Sequence, residues 1–129
     1  MNRVLFSSQS DDYKTPGSVY EALNREFAFN FDPCPLYATT GLEIDWPGNV
    51  FVNPPYSKLA EFMDKGWREL QAGVAQCIVF LVPARTDTRW FHNYCLKAAE
   101  IRFIRGRLKF GGAKNNAPFP SMIVIFKSA

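Results

Sequence analysis

The stretch Asn53-Pro54-Pro55-Tyr56, which follows the apolar Val50-Phe51-Val52, is the part of the chain best equipped for chemistry. Prolines cannot extend a strand pairing, because each lacks an N–H and has φ fixed near about −65°. What they can do is stiffen the backbone that carries the Asn53 side chain. The Asn53 carboxamide oxygen and the Pro54 carbonyl are two acceptors that a stiff turn can aim at one point. Tyr56 adds a ring face on which a planar group can stack. Acceptors fixed in advance suit a reacting group whose charge develops as it donates hydrogen bonds. The bland alternative is a rigid turn whose Asn caps the following helix.

The elements that must hold this turn can be read from periodicity. Thr15 and Pro16 look like a helix N-cap and first helical residue, with Val19, Tyr20, Leu23 and Phe27 following at helical spacing. Residues 29–31 form a short strand ending at Asp32-Pro33, and residues 33–48, with three prolines and two glycines, are mostly loop. A second strand runs from Asn49 to Val52. Lys58 to Gln71 is helical, with Leu59, Phe62, Met63, Trp67 and Leu70 on one face, and Gly73 ends it. The apolar run Cys77 to Val82 fits a central strand covered on both faces, stopping at Pro83. Asp87 or Thr88 caps another helix reaching about Ala99. Two strands, IRFIRGRLKF and SMIVIF, then flank the Gly- and Pro-rich GGAKNNAPFP. This order predicts an α/β fold with a mostly parallel sheet and antiparallel C-terminal strands. Ligands of such sheets bind beyond the carboxyl ends of the strands. Asp32-Pro33, Asn53 to Tyr56 and Pro83-Ala84-Arg85 fall at three such ends and mark one candidate active site.

At 129 residues the chain fits one domain, expected over residues 15–129 behind a polar, flexible lead-in at 1–14. With 47% hydrophobic and 21% charged residues it is not a disordered chain. Cys34, Cys77 and Cys95 are odd in number and widely spaced, so neither a disulfide framework nor a metal site is expected, and a reduced, cytoplasmic setting fits. No apolar run approaches the roughly 20 residues of a membrane helix, and the N-terminus lacks the apolar core of a signal peptide. His92 lies among aromatics and is assigned no role.

The net charge of +3 hides an asymmetry. Residues 1–100 hold nine Lys/Arg against twelve Asp/Glu, whereas residues 101–129 hold six Lys/Arg and no acid. A basic end on a near-neutral body suits a polyanion, or is simply a solvated face. Arg105, Arg107 and Lys109 would share one face of a strand, which folding explains poorly and phosphates explain well. Arg102 and Lys114 lie in the same segment. Within GGAKNNAPFP, Asn115 and Asn116 could read groove atoms, or the loop is a plain hairpin tip.

Taken in order, YKTP, FAFNFDPCP, W followed by VFVNPPYS, FLVPARTDTRWF, RGRLKF and SMIVIF span nearly the whole chain, and together it resembles the small phage-type DNA N6-adenine methyltransferases, often called Dam-like. The resemblance implies a compact Rossmann-like fold using S-adenosylmethionine, with double-stranded DNA as partner, no metal, and a cytoplasmic location in the host if phage-encoded. It implies that Thr15, Pro16, Asp32 and Pro33 line the cofactor site and that Asn53, Pro54, Pro55 and Tyr56 hold a flipped adenine. Arg85, Asp87 and Thr88 would border the pocket, and Arg85, Arg105, Arg107, Lys109 and Lys114 would meet DNA. The chemistry is consistent with the residue types. An exocyclic amine has its lone pair delocalised into the ring, and two acceptors on its N–H groups free that pair for attack. Each residue also has a plainer reading: a helix start at Thr15-Pro16, a turn cap at Asp32, an Arg85–Asp87 ion pair. The chain departs from methyltransferases at large in that DPCPLYATTG contains no G-x-G turn. The alternatives are a methyltransferase acting on RNA or a protein glutamine, since NPPY occurs in those as well, and a non-catalytic DNA-binding relative.

Overall fold

The computed structural model describes residues 13–34, 40–112 and 114–128. Helix α1 spans Gly17–Phe27, strand β1 Gly48–Val52, helix α2 Leu59–Gln71, strand β2 Ala75–Pro83, helix α3 Arg89–Asn93, strand β3 Glu100–Phe103 and strand β4 Ser121–Lys127. Short 3₁₀ turns lie at Thr40–Glu43, Tyr56–Lys58 and Cys95–Lys97. Of the expected lead-in, only Tyr13 and Lys14 are described. Residues 1–12, residues 35–39 of the expected proline-rich loop and residue 113 lie outside the described residues.

The strands form one sheet in the order β1-β2-β4-β3, with β1 parallel to β2 and β4 antiparallel to both its neighbours. The α/β class expected from the sequence is what the chain adopts, with its antiparallel C-terminal strands. The sheet is nevertheless mixed rather than mostly parallel. β4 inserts between β2 and β3, so among the described residues parallel pairing is confined to β1–β2 and to a single bridge from Phe31 to Val50. Around that bridge the Asn30 N–H donates to the Asn49 carbonyl at 2.9 Å and the Phe51 N–H to the Phe31 carbonyl at 3.0 Å. The segment 29–31 is thus a short extension beside β1 rather than a full strand.

Alternation along the strands divides the core in two. Val50, Val52, Ile78, Phe80, Val82, Met122, Val124 and Phe126 face α2 and α3, where Phe62, Met63 and Phe91 meet them. Phe51, Val79, Leu81, Ile123 and Ile125 face the other way, toward Leu23 of α1 and toward Phe110, Ala117 and Phe119. Because β2 and β4 are covered on both faces, their sequences read as continuous apolar runs. Gly66 lets α2 lie close to the sheet: a Cβ there would stand 2.8 Å from the Phe80 ring and 3.1 Å from Trp46.

Three local expectations are corrected. Pro16, not Thr15, occupies the N-cap of α1, and no side chain caps that helix. Thr88 does cap α3, its Oγ1 accepting from the Phe91 N–H, but α3 stops at Asn93 instead of near Ala99. Tyr94 leaves helical geometry at φ −122°, its hydroxyl donating to Asp64 Oδ1 of α2 at 2.6 Å while Cys95 enters the core. Finally, IRFIRGRLKF is a strand only to Phe103. Gly106 turns the chain at φ +78°, a conformation L side chains resist, so Arg105, Arg107 and Lys109 do not share a strand face.

Candidate active site

Parallel pairing of 29–31, β1 and β2 opens their carboxyl ends on one edge of the sheet, bringing Asp32-Pro33, Asn53 to Tyr56 and Ala84-Arg85 to the same side. β4 runs the other way, so its first residue, Ser121, reaches that edge opposite Pro83.

Beyond Val52 the chain leaves the sheet as Asn53-Pro54-Pro55, with Pro55 extended at φ −63° and ψ 133°, and enters α2 through the turn Tyr56–Lys58. No side chain caps that turn or α2, so Asn53 is not a helix cap. Its Nδ2 donates instead to the Tyr13 carbonyl and to Thr15 Oγ1, the latter at 2.9 Å. A backbone carbonyl can only accept, so the atom facing it must be the amide nitrogen, and Oδ1 is the atom turned the other way. Asn53 Oδ1 is buried and has no partner among the described residues. Pro54 and Pro55 are both buried.

Tyr56 belongs to an aromatic cluster. Its ring centroid is 4.9 Å from that of Tyr13, inclined by 33°, and 5.3 Å from Phe119 in an edge-to-face contact. Tyr13 also meets Phe110 at 5.2 Å and Phe119 at 5.5 Å. Burial pushes the Tyr56 phenol well above its ordinary range, the neighbouring Tyr13 adds to this, and the Arg85 charge opposes it. The Tyr56 hydroxyl is buried without a partner, as is Ser121 Oγ. The three buried side-chain polar atoms lacking partners among the described residues, on Asn53, Tyr56 and Ser121, therefore all belong to this edge. Buried polar atoms are normally satisfied, so such a concentration points to a ligand rather than to folding.

Asp32 Oδ1 accepts from the Cys34 N–H at 2.8 Å, the turn cap its plainer reading anticipated. Asp32 keeps solvent contact, yet the protein packed around it pushes its carboxyl above the usual range, against the lowering effect of that N–H. Pro33 is buried beside it. Arg85 is exposed and its guanidinium lies 5.9 Å from the centre of the Phe119 ring; it makes no ion pair with Asp87. Thr88 is taken up in capping α3, its hydroxyl also donating to the Arg85 carbonyl at 2.8 Å. His92 Nε2 lies 2.8 Å from the Thr86 carbonyl, within its own turn.

The basic segment divides. Arg102 forks onto Glu26 at 2.6 and 2.7 Å and onto Glu100 at 2.7 and 3.1 Å, so its charge is locally matched. Those contacts hold the Glu26 and Glu100 carboxyls below their usual range. Arg105, Arg107, Lys109 and Lys114 are exposed and have no ion pair among the described residues.

Sequence reasoning missed Tyr13, Phe110, Phe119 and Ser121. Tyr13 falls in the stretch expected as a polar lead-in, Phe110 and Phe119 carry no local mark that separates them from core aromatics, and nothing local marks a serine opening an apolar strand. The only available signal was position: Tyr13 immediately precedes Lys14-Thr15-Pro16, and Phe119 and Ser121 flank the start of β4.

A family model for DNA N-6-adenine-methyltransferases (Dam) matches residues 4–129. The chain belongs to this family. Among solved structures it is similar to a protein of Pyrococcus horikoshii described as a candidate RNA methyltransferase, at 13% identity and a TM-score of 0.49. That match covers 68% of this chain and 46% of the other, so the chain spans less than half of its length. A search of the curated proteins finds no match. Among its described residues this Dam-family chain has no group of three His, Cys, Asp or Glu able to hold a metal ion. It also has, among them, no helix long and apolar enough to cross a membrane.

Proposed function

We propose that this Dam-family protein transfers a methyl group from S-adenosylmethionine to the N6 amino group of an adenine flipped out of duplex DNA. The observation that carries the reading is the Asn53 carboxamide, oriented by its two donated hydrogen bonds so that a buried, unpartnered Oδ1 stands at the carboxyl edge beside the Tyr56 ring. An amino N–H donating to Oδ1 would satisfy that atom, and a second donating to the Pro54 carbonyl would draw the nitrogen toward a pyramidal geometry with its lone pair free. Acceptors already in place lower the barrier without reorganising during the reaction.

Asp32 suits the cofactor. A hydroxyl or ammonium group reaching its carboxylate would offset the crowding that raises its pKa. Pro33, Thr15 and Pro16 border the same edge. S-adenosylmethionine supplies a methyl group on a sulfonium, which leaves alignment of the amine as this chain's task.

A base stacks at about 3.5–4 Å from a ring. The 4.9 Å between the Tyr13 and Tyr56 centroids therefore leaves no space for one between them. The Tyr13 ring must turn aside for a base to occupy the face of Tyr56 that it covers. Flipping the base costs a few kcal/mol, and phosphate contacts from Arg85, Arg105, Arg107, Lys109 and Lys114 are available to hold the distorted duplex. Access to DNA implies a cytoplasmic location, the host's if the protein is phage-encoded.

The test is transfer of labelled methyl from S-adenosylmethionine to unmethylated duplex DNA, with nucleoside analysis of the product. N6-methyladenine is expected from the wild type. Label appearing only on RNA or protein, or on neither, would overturn the substrate.

A further inference from the structure

An asparagine serves as an amine acceptor only while its amide faces the right way. Its oxygen and nitrogen are similar in size, and a half-turn about χ2 would present N–H donors where an acceptor is needed. In this protein the choice is made from outside the turn, by groups 40 and 38 residues earlier in the chain, the Tyr13 carbonyl and Thr15 Oγ1. We infer that the segment Tyr13–Thr15 is a positioning element for Asn53, with the Thr15 hydroxyl holding the amide plane. The inference rests on the methyltransferase reading and adds to it a role for Thr15 other than contact with the cofactor.

The two acceptors act differently. The Tyr13 carbonyl sets the sense of the amide, since a flip would press Oδ1 against another oxygen. Thr15 Oγ1 takes the second N–H and stops the plane from rotating about the first hydrogen bond. With both donors used, Oδ1 has one direction left. Thr15 is available for this because it does not cap α1.

The segment is itself anchored. The Gly111 N–H donates to the Lys14 carbonyl at 2.9 Å, and the Tyr13 ring lies among Tyr56, Phe110 and Phe119. When the Tyr13 ring gives up those contacts to admit a base, the backbone hydrogen bond at Lys14 remains to keep the Tyr13 carbonyl on Asn53.

The experiment compares the full-length wild type with Thr15→Val, which keeps the shape and removes the hydroxyl, and with Thr15→Ser, which restores it. Methyl transfer is measured at saturating S-adenosylmethionine, and cofactor and DNA binding separately. Loss of one net hydrogen bond predicts a kcat about tenfold lower in Thr15→Val. The DNA KM and cofactor Kd should stay within about twofold, and Thr15→Ser should recover most of the loss. An unchanged kcat with a raised cofactor KM or Kd in Thr15→Val, or an equal loss in Thr15→Ser, overturns the inference. A second readout needs no turnover: the side-chain amide signals of Asn53 in 15N-labelled protein, identified by their disappearance in Asn53→Ala. They should be protected from solvent exchange in the wild type and Thr15→Ser, and lose protection at one N–H in Thr15→Val. An unchanged pair in Thr15→Val overturns the positioning role. Absence of methyl transfer by the wild type would instead count against the catalytic reading, leaving the amide signals to judge the hydrogen bonds.

Discussion

Beneath α2, the Trp46 backbone N–H donates to Glu69 Oε1 at 2.7 Å, the Lys65 ammonium meets Glu69 Oε2 at 3.2 Å, and the Trp46 indole N–H reaches the Gly41 carbonyl at 2.8 Å. At the carboxyl edge of the sheet, Asn53 Oδ1, the Tyr56 hydroxyl and Ser121 Oγ are also buried but have no partner among the described residues. Both regions bury polar atoms in a protein of 129 residues, but only one of them closes its own network. In the first, polar groups fasten the loop before β1 onto the helix after it, and their work is complete once the chain has folded. In the second, folding leaves groups oriented and dry but unsatisfied, which is a cost in stability unless something else binds there. The difference separates scaffold from site without reference to any family.

Removing Glu69 should break the scaffold side most severely. Its side chain is 10% exposed and that of Lys65 9%, so Glu69→Ala strands a buried ammonium and an unpaired backbone N–H together. Losing one partner of a buried pair costs about 3–5 kcal/mol. Urea unfolding should show that loss; a cost under about 1 kcal/mol would mean the network is not tightly held.

On the site side the same kind of truncation should do the reverse. Asn53→Ala removes a buried oxygen that has no partner among the described residues, at the expense of the hydrogen bonds to Tyr13 and Thr15. Stability should therefore change by no more than about 1 kcal/mol, while turnover falls by a factor on the order of 10²–10³, as for other preorganised contacts. Cofactor binding should survive. Near-normal turnover would remove Asn53 from the chemistry, and a large stability loss would move it to the scaffold.

The contrast extends to surface charge and explains what could be read in advance. Arg102 is matched by Glu26 and Glu100, whereas Arg107 has no ion pair among the described residues. Arg107→Ala should weaken DNA binding at every sequence and reduce the magnitude of the salt slope by about 1; Arg102→Ala should leave that slope unchanged. Equal effects on the slope would mean that pairing in the free protein does not determine which charges meet phosphate. From composition alone the two arginines are indistinguishable, because the partners of Arg102 include Glu26, 76 residues away. What the sequence did display was local and strongly patterned: the apolar run of β2, the amphipathic face of α2, the prolines after β1. The hold of Thr15 on Asn53 and the packing of Tyr13 on Tyr56 depend on contacts between distant segments, and a helix start and a core aromatic look the same with or without them. The early end of β3 was closer to legible, since Gly106 interrupts the run, but strand-like neighbours on both sides masked it.

The smallest expected effect tests whether the scaffold's hydrogen bonds carry energy individually. Tyr94 donates to Asp64 Oδ1 across α3 and α2, and that bond, ahead of the one from Arg68, holds the Asp64 carboxyl below its usual range. A carboxyl whose pKa is depressed by folding contributes stability above the unfolded Asp value, and the contribution disappears as pH falls through the lower folded value. Tyr94→Phe should thus cost about 1 kcal/mol near neutral pH, toward the low end because the Asp64 side chain is 43% exposed and screened. The gap between wild type and variant in urea unfolding should narrow below about pH 4, where the unfolded-state carboxyl begins to protonate, and be smallest in stronger acid. A gap that stays constant with pH would assign the loss to packing of the Tyr94 ring, making this contact a matter of shape rather than of a satisfied charge.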